Sequence, residues 1–193
     1  MGRATNKLLP RWARPLLALA PIVLLVGCST VGTRQAGIDN FAVVEKGPQG
    51  ICRGAQPSSA GYATLKSRGV CSVIDLRDDA VPGARENAER AGLRYVHIPT
   101  NAAVTDPAKI RLFLDAMAAV PHPVFVHCLA GRDRTGLEIA VYRIVVQGWS
   151  RETALRELYA HGYNWGLFPG IARYLKTFDP ARFTVPSAPL VGG

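Results

Sequence analysis

One segment constrains this chain more than any other: Val124-Phe125-Val126-His127, then Cys128-Leu129-Ala130-Gly131-Arg132-Asp133, then a stretch from Arg134 whose apolar residues recur at helical spacing. The uninterrupted apolar run reads as a strand buried on both faces, and the loop and helix after it place that strand in an α/β domain. A short loop between a strand and a helix start directs successive backbone N–H groups and the positive end of the helix dipole at one point. An oxyanion is drawn there, and the same field favours the thiolate of Cys128, the nucleophilic form of a cysteine.

The rest of the chain supplies the partners such a segment needs. Short apolar runs at 41–44, 51–53, 70–76 and 94–98 read as further strands. Ser58 caps a helix to Ser67 with Gly69 as its stop, another spans 84–91, and Asp106-Pro107 opens a third running to Ala119. Beyond the cysteine loop the periodicity is helical over 134–147, 150–161 and 168–178. The expectation is a single α/β domain over 41–179, with a four- to five-stranded, mostly parallel sheet flanked by helices and the chemistry at the carboxyl ends of its strands. Residues 180–193 read as a Pro-rich tail.

His127-Cys128 followed by Arg134-Thr135-Gly136 matches H-C-x5-R-[ST]-G, and the chain thereby resembles the cysteine-dependent protein-tyrosine and dual-specificity phosphatases. The resemblance to their bacterial members extends from Arg53 to Phe178 through Cys52-Arg53-Gly54-Ala55-Gln56-Pro57, Val73-Ile74-Asp75-Leu76-Arg77, Tyr95-Val96-His97-Ile98-Pro99 and Gly148-Trp149-Ser150. It implies the fold of that superfamily and a phosphate cradle formed by Leu129, Ala130, Gly131, Arg132, Asp133 and Arg134. Cys128 is then the nucleophile that carries a phosphoryl-cysteine intermediate, and Arg134 the planar fork on two phosphate oxygens. Thr135 would give its hydroxyl to the cysteine sulfur, and His127 would orient the loop through backbone contacts. Asp75, Arg53 and Arg77 read as loop-bracing residues. No cofactor or metal is required, and no Cys and His spacing suits zinc.

The general acid departs from the family pattern. The loop that commonly carries it reads Thr100-Asn101-Ala102-Ala103-Val104-Thr105-Asp106-Pro107, in which Asp106 is placed as a helix N-cap. Asp133, directly before Arg134, is the favoured alternative and resembles the arrangement in myotubularin-like phosphatases. Three substrate readings stay open: a phosphorylated tyrosine or other protein side chain, a phosphoinositide or other envelope phosphoester, or phosphate docking without efficient turnover. A rhodanese-like or arsenate-reducing enzyme fits the Arg134-Thr135 pattern poorly.

The N-terminus reads as an address. Arg3, Lys7, Arg11 and Arg14 precede an apolar run over 15–26 that is short for a bilayer span, and Leu25-Val26-Gly27-Cys28 resembles a bacterial lipobox. This makes 1–27 a lipoprotein signal peptide, Cys28 the lipidated residue and 28–40 a tether, with an outer-membrane address facing the periplasm. Setting aside those four basic residues, the net charge of +9 falls to +5, dispersed among acids, so a nucleic-acid partner is not expected. A monomer is the default. Cys52 and Cys71 could pair with each other, or reversibly with Cys128 as a redox guard.

Overall fold

In a computed structural model the described residues are 33–79 and 82–183. Six strands form one mixed sheet: β1 (Thr33–Gln35), β2 (Ile38–Glu45), β3 (Ile51–Gly54), β4 (Ser72–Asp75), β5 (Arg94–His97) and β6 (Val124–His127). Their order is β1-β2-β3-β6-β4-β5. The pairs β3–β6, β6–β4 and β4–β5 are parallel, whereas β1–β2 and β2–β3 are antiparallel. The helices are α1 (Ser59–Ser67), α2 (Ala84–Arg90), α3 (Pro107–Ala119), α4 (Asp133–Val145), α5 (Arg151–Ala160) and α6 (Pro169–Lys176).

The helix starts are local decisions. Ser58 accepts from the Gly61 N–H at 3.2 Å, Asp106 from Ala108 at 2.8 Å and Ser150 from Thr153 at 3.2 Å, so each cap satisfies a donor the helix cannot. The sheet then has two covered faces. Phe125 and Val73 turn toward Tyr62 and Leu65 of α1 and Ala88 of α2. Val124, Val126 and Ile74 turn toward Phe113 of α3, Ile139 of α4, Leu158 of α5 and Leu175 of α6. Full burial of a side chain such as Phe113 contributes roughly 1.5–3 kcal/mol, which is why β6 at the centre tolerates no polar residue before His127.

Three expectations need correction. The sheet has six strands, because residues 33–40, read from their polar composition as tether, fold into β1 and the start of β2. Ile38 is buried there, and the Asp39 carbonyl accepts the Ala55 N–H at 2.8 Å, so tertiary contacts order a weakly apolar segment. The tail begins later than expected, since Pro180–Arg182 form a 3-10 turn and Phe183 stacks on Phe178 at 5.1 Å. Finally, the cysteine pairings are ruled out by register. Cys52 aligns with Phe125 and hence with Val73, so Cys71 lies two strands across and two residues back, roughly 12 Å away, where a disulfide needs Cα atoms within about 7 Å. Cys128 stands three residues beyond the level of Cys52, and all three thiols are free. The signal peptide, Cys28 and the tail beyond Phe183 lie outside the described residues.

Candidate active site

The segment from β6 to α4 bonds the carbonyls of its turn to the rest of the protein and leaves the turn's backbone N–H groups without partners among the described residues. Every carbonyl of the turn is bonded outward. His127 Nδ1 lies 3.2 Å from the Cys128 oxygen, and burial holds this imidazole below its usual pKa, so the neutral ring donates through Nδ1–H. The Gln56 N–H donates to the Leu129 oxygen at 3.1 Å. Asn40 Nδ2 reaches the Ala130 oxygen at 3.3 Å and the Gly131 oxygen at 3.1 Å, and Arg53 Nη2 reaches the Gly131 oxygen at 2.9 Å. The Arg132 oxygen accepts the helical Gly136 N–H at 2.8 Å. With the carbonyls turned out, the amides from Leu129 to Arg134 are left without a protein acceptor among the described residues, and Arg132, the N-cap of α4, gives no side-chain cap. This is an anion nest at a helix N-terminus.

Two glycines make that closure possible. Gly131 has φ +67°, and a Cβ there would lie 2.3 Å from the Gly54 carbonyl carbon and oxygen, so the loop can rest on the end of β3 only without a side chain. A Cβ at Gly136 would lie 2.3 Å from Leu158 Cδ1, so α4 and α5 meet closely at that point.

Cys128 directly follows β6, 3 % exposed, at the base of the nest. Arg134 extends from the first turn of α4, pairs with Asp78 through Nη1 and approaches the Thr100 oxygen at 3.4 Å. Arg53 is 0 % exposed, and burial lowers its guanidinium to about 10, against the opposing pull of Glu157 and Cys128. Asp75 accepts the Arg77 N–H at 2.9 Å and the Tyr95 hydroxyl at 2.6 Å, while the Arg77 oxygen lies 2.7 Å from His97 Nε2 and Arg77 pairs with Asp79. His127, Arg53, Asp75 and Arg77 thus each contact a backbone or side-chain atom of the loops around Cys128.

Other expectations fare differently. Thr135 is buried, but its hydroxyl has no partner, so the hydrogen bond to the cysteine sulfur is not made. The reason is local: the side chain belongs to the buried face of α4, where no acceptor lies within reach. Asp106 is spent on the Ala108 N–H, as its position before Pro107 suggested. Asp133 accepts the Asn164 N–H through Oδ1 at 2.8 Å, which ties the α5–α6 connection to the loop and leaves Oδ2 without a hydrogen bond. Arg132 is exposed beside an open cavity of about 810 Å³ that it lines with Arg34, Asn40, Leu129 and His161.

Two residues that hold the site escaped the sequence reading. Asn40 anchors three carbonyls, including His161 at 3.4 Å, yet a single Asn before an apolar run carries no signal of that. Asp78 was findable, since it follows Arg77 at the carboxyl end of a strand where the loops converge.

Known proteins agree with this geometry. A family model described as a DSP-PTPase phosphatase fused to NAD+ kinase matches residues 33–165. The dual specificity protein phosphatase TpbA of Pseudomonas aeruginosa is 33% identical over 165 residues, 79% of this chain and 73% of that protein. Its crystal structure superimposes with a TM-score of 0.64 at 29% identity, covering 78% of this chain and 91% of that one. A cysteine-to-serine form of TpbA, in complex with pTyr, gives 0.61 over 78% and 95%. The inositol diphosphatase DSP3 of Arabidopsis thaliana is 29% identical over 136 residues, 65% of this chain and 64% of that protein. An anion nest around a strand-end cysteine, an arginine fork on the helix that follows and these likenesses lead to one assignment: the chain belongs to the dual-specificity phosphatases of the cysteine-dependent protein-tyrosine phosphatase superfamily.

Proposed function

We propose that the chain hydrolyses phosphorylated tyrosine and other protein phosphomonoesters through a phosphoryl-cysteine intermediate at Cys128. The observation that carries this reading is the bonding of the loop carbonyls to other parts of the protein, which leaves the six amides from Leu129 to Arg134, next to Cys128 in the chain, without a protein acceptor among the described residues. The phosphoryl oxygens take those amides and the Arg134 fork, which has to give up Asp78 to receive them. Cys128 thiolate attacks phosphorus, the P–O bond to the leaving group breaks, and the departing oxygen takes a proton from Asp133. Water then attacks the phosphoryl-cysteine, gives its proton back to Asp133, and releases inorganic phosphate and the thiolate. Asp133 is preferred over Asp106 because it lies in the phosphate loop directly before Arg134, whereas Asp106 lies outside that loop as the N-cap of α3; each gives one oxygen to a backbone N–H.

A second reading, a phosphorylated inositol as substrate, draws on the likeness to the inositol diphosphatase and on the exposed Arg132. For the N-terminus the proposal is a lipid on Cys28 and an outer-membrane position facing the periplasm, supported by the lipobox resemblance. The test of the catalytic reading is hydrolysis of para-nitrophenyl phosphate under reducing conditions with chelator. Wild type is expected to turn over and Cys128→Ser to be silent, whereas a wild type that binds phosphate without turnover would leave a docking module. Comparing kcat/KM for a phosphotyrosine peptide and an inositol polyphosphate separates the two substrate readings.

A further inference from the structure

Among the described residues the four most exposed large hydrophobic side chains are Leu167 at 69%, Trp165 at 68%, Val104 at 63% and Leu129 at 56%. They come from three separate segments, yet all stand at the carboxyl end of the sheet around the mouth of the phosphate loop. Leu129 belongs to the loop itself. The α5–α6 connection is tied to the loop by the Asn164 N–H on Asp133, and Gly170 packs toward the Ala103 carbonyl, which brings Val104 alongside.

The exposure is built rather than accidental. The connection carrying Trp165 and Leu167 is braced from beneath: the Tyr163 hydroxyl donates to the Phe168 oxygen at 2.5 Å and accepts the Ala172 N–H at 3.2 Å, and Asn164 Oδ1 accepts the Leu167 N–H at 3.1 Å. A fixed scaffold thus holds a tryptophan and a leucine in water. Isolated exposed apolar residues need no explanation, but a rim of them around one opening marks an interaction surface.

What covers that rim follows from the anchor proposed above, on which this inference rests. Cys28 is five residues from Thr33, so the intervening chain spans at most about 17 Å. Arg34, the next residue of β1, lines the same cavity as Leu129 and Arg132. A lipid at Cys28 therefore holds the bilayer within reach of the sheet edge formed by β1, on which Arg34 lines this cavity. Tryptophan with apolar neighbours at a rim, beside an exposed arginine, is the composition that enters a headgroup boundary. Arg34 pairs with Asp39, Arg77 with Asp79 and Arg134 with Asp78, which leaves Arg132 as the rim arginine without an acidic partner.

We propose that the active-site face docks on the bilayer surface, with Trp165, Leu167, Val104 and Leu129 entering the headgroup boundary and Arg132 meeting anionic lipid, so that the enzyme draws its phosphoester from the membrane interface.

The test uses the full chain extracted from membranes and reconstituted into phosphatidylcholine vesicles, with or without phosphatidylglycerol, carrying a nitroxide near the headgroup. Intact mass first reports whether Cys28 carries lipid. Trp165 emission is expected to lose at least half its intensity to the nitroxide, more with phosphatidylglycerol, after subtraction of a Trp165→Phe background. Val104→Ser with Leu167→Ser should cut that quenching several-fold while para-nitrophenyl phosphate turnover stays as in wild type. Lipidated protein whose Trp165 is unquenched, or whose rim is protected by a phosphopeptide but not by vesicles, overturns the docking. A mass without lipid overturns the anchor alone, and quenching of the soluble chain at high vesicle concentration then decides the docking separately.

Discussion

The floor and the rim of the phosphate loop are built on opposite principles. On the floor, Arg53, His127, Thr135 and Gly131 are buried, and each loop carbonyl is held by a protein donor. At the rim, Asp78, Asp106 and Asp133 each make one contact that solvent or substrate could replace, and Trp165 and Leu167 make contact mainly with water. A buried group that loses its partner costs about 1–3 kcal/mol, so the floor is over-determined and fixes the chemistry. The rim can change without unfolding anything, so it sets substrate, acid and location.

Breaking the floor should have the largest effect. Gly131→Ala puts a methyl into the Gly54 carbonyl at a positive φ, and is expected to lower kcat/KM by 100-fold or more in steady-state assays, with a lower melting temperature. Next comes the buried carboxyl under the same helix. Glu138 has no partner for either oxygen, and burial pushes its pKa up to about 8 from the usual carboxylate range. Folded protein keeps that proton while unfolded chain releases it above about pH 4.5, so stability falls as pH rises toward 8. Glu138→Gln should remove this fall, a gain on the order of a few kcal/mol at pH 8 relative to pH 5, read from denaturant melts at both pH values.

Arg53→Met separates positioning from stability. It removes a buried guanidinium whose Nε and Nη1 have no partner and leaves the Gly131 carbonyl to Asn40 alone, so activity should drop roughly 10- to 100-fold while the melting temperature moves little. At the rim, Asp133→Asn should cost roughly 10- to 100-fold with an alkyl phosphate and far less with para-nitrophenyl phosphate, whose leaving group needs no proton. Asp106→Ala should leave turnover unchanged and cost about 1 kcal/mol of stability as a lost cap. The smallest effect belongs to Asp78→Asn, which frees Arg134 and should tighten inhibition by inorganic phosphate a few-fold; equal or weaker inhibition would mean that Asp78 orients the arginine instead.

The same contrast explains what the sequence disclosed. Cys128, Arg134 and the glycines of the floor were legible because the turn geometry is encoded in consecutive residues, as were the caps at Ser58 and Asp106. Asn40 and the strands formed by residues 33–40 were not, because each depends on contacts across many residues or on a packing partner such as Ala55 that composition does not reveal, whereas Asp78 could have been found from its place after Arg77. The cysteine pairings looked open from their number and closed only when the strand order put β6 between Cys52 and Cys71.

The most direct measurement of the central claim is acid quenching of wild-type enzyme during turnover of para-nitrophenyl phosphate, followed by mass spectrometry of the peptide that carries Cys128. A phosphoryl adduct on Cys128, absent from Cys128→Ser together with all turnover, is the predicted result. Turnover that survives in Cys128→Ser, or an adduct on another residue, would contradict it.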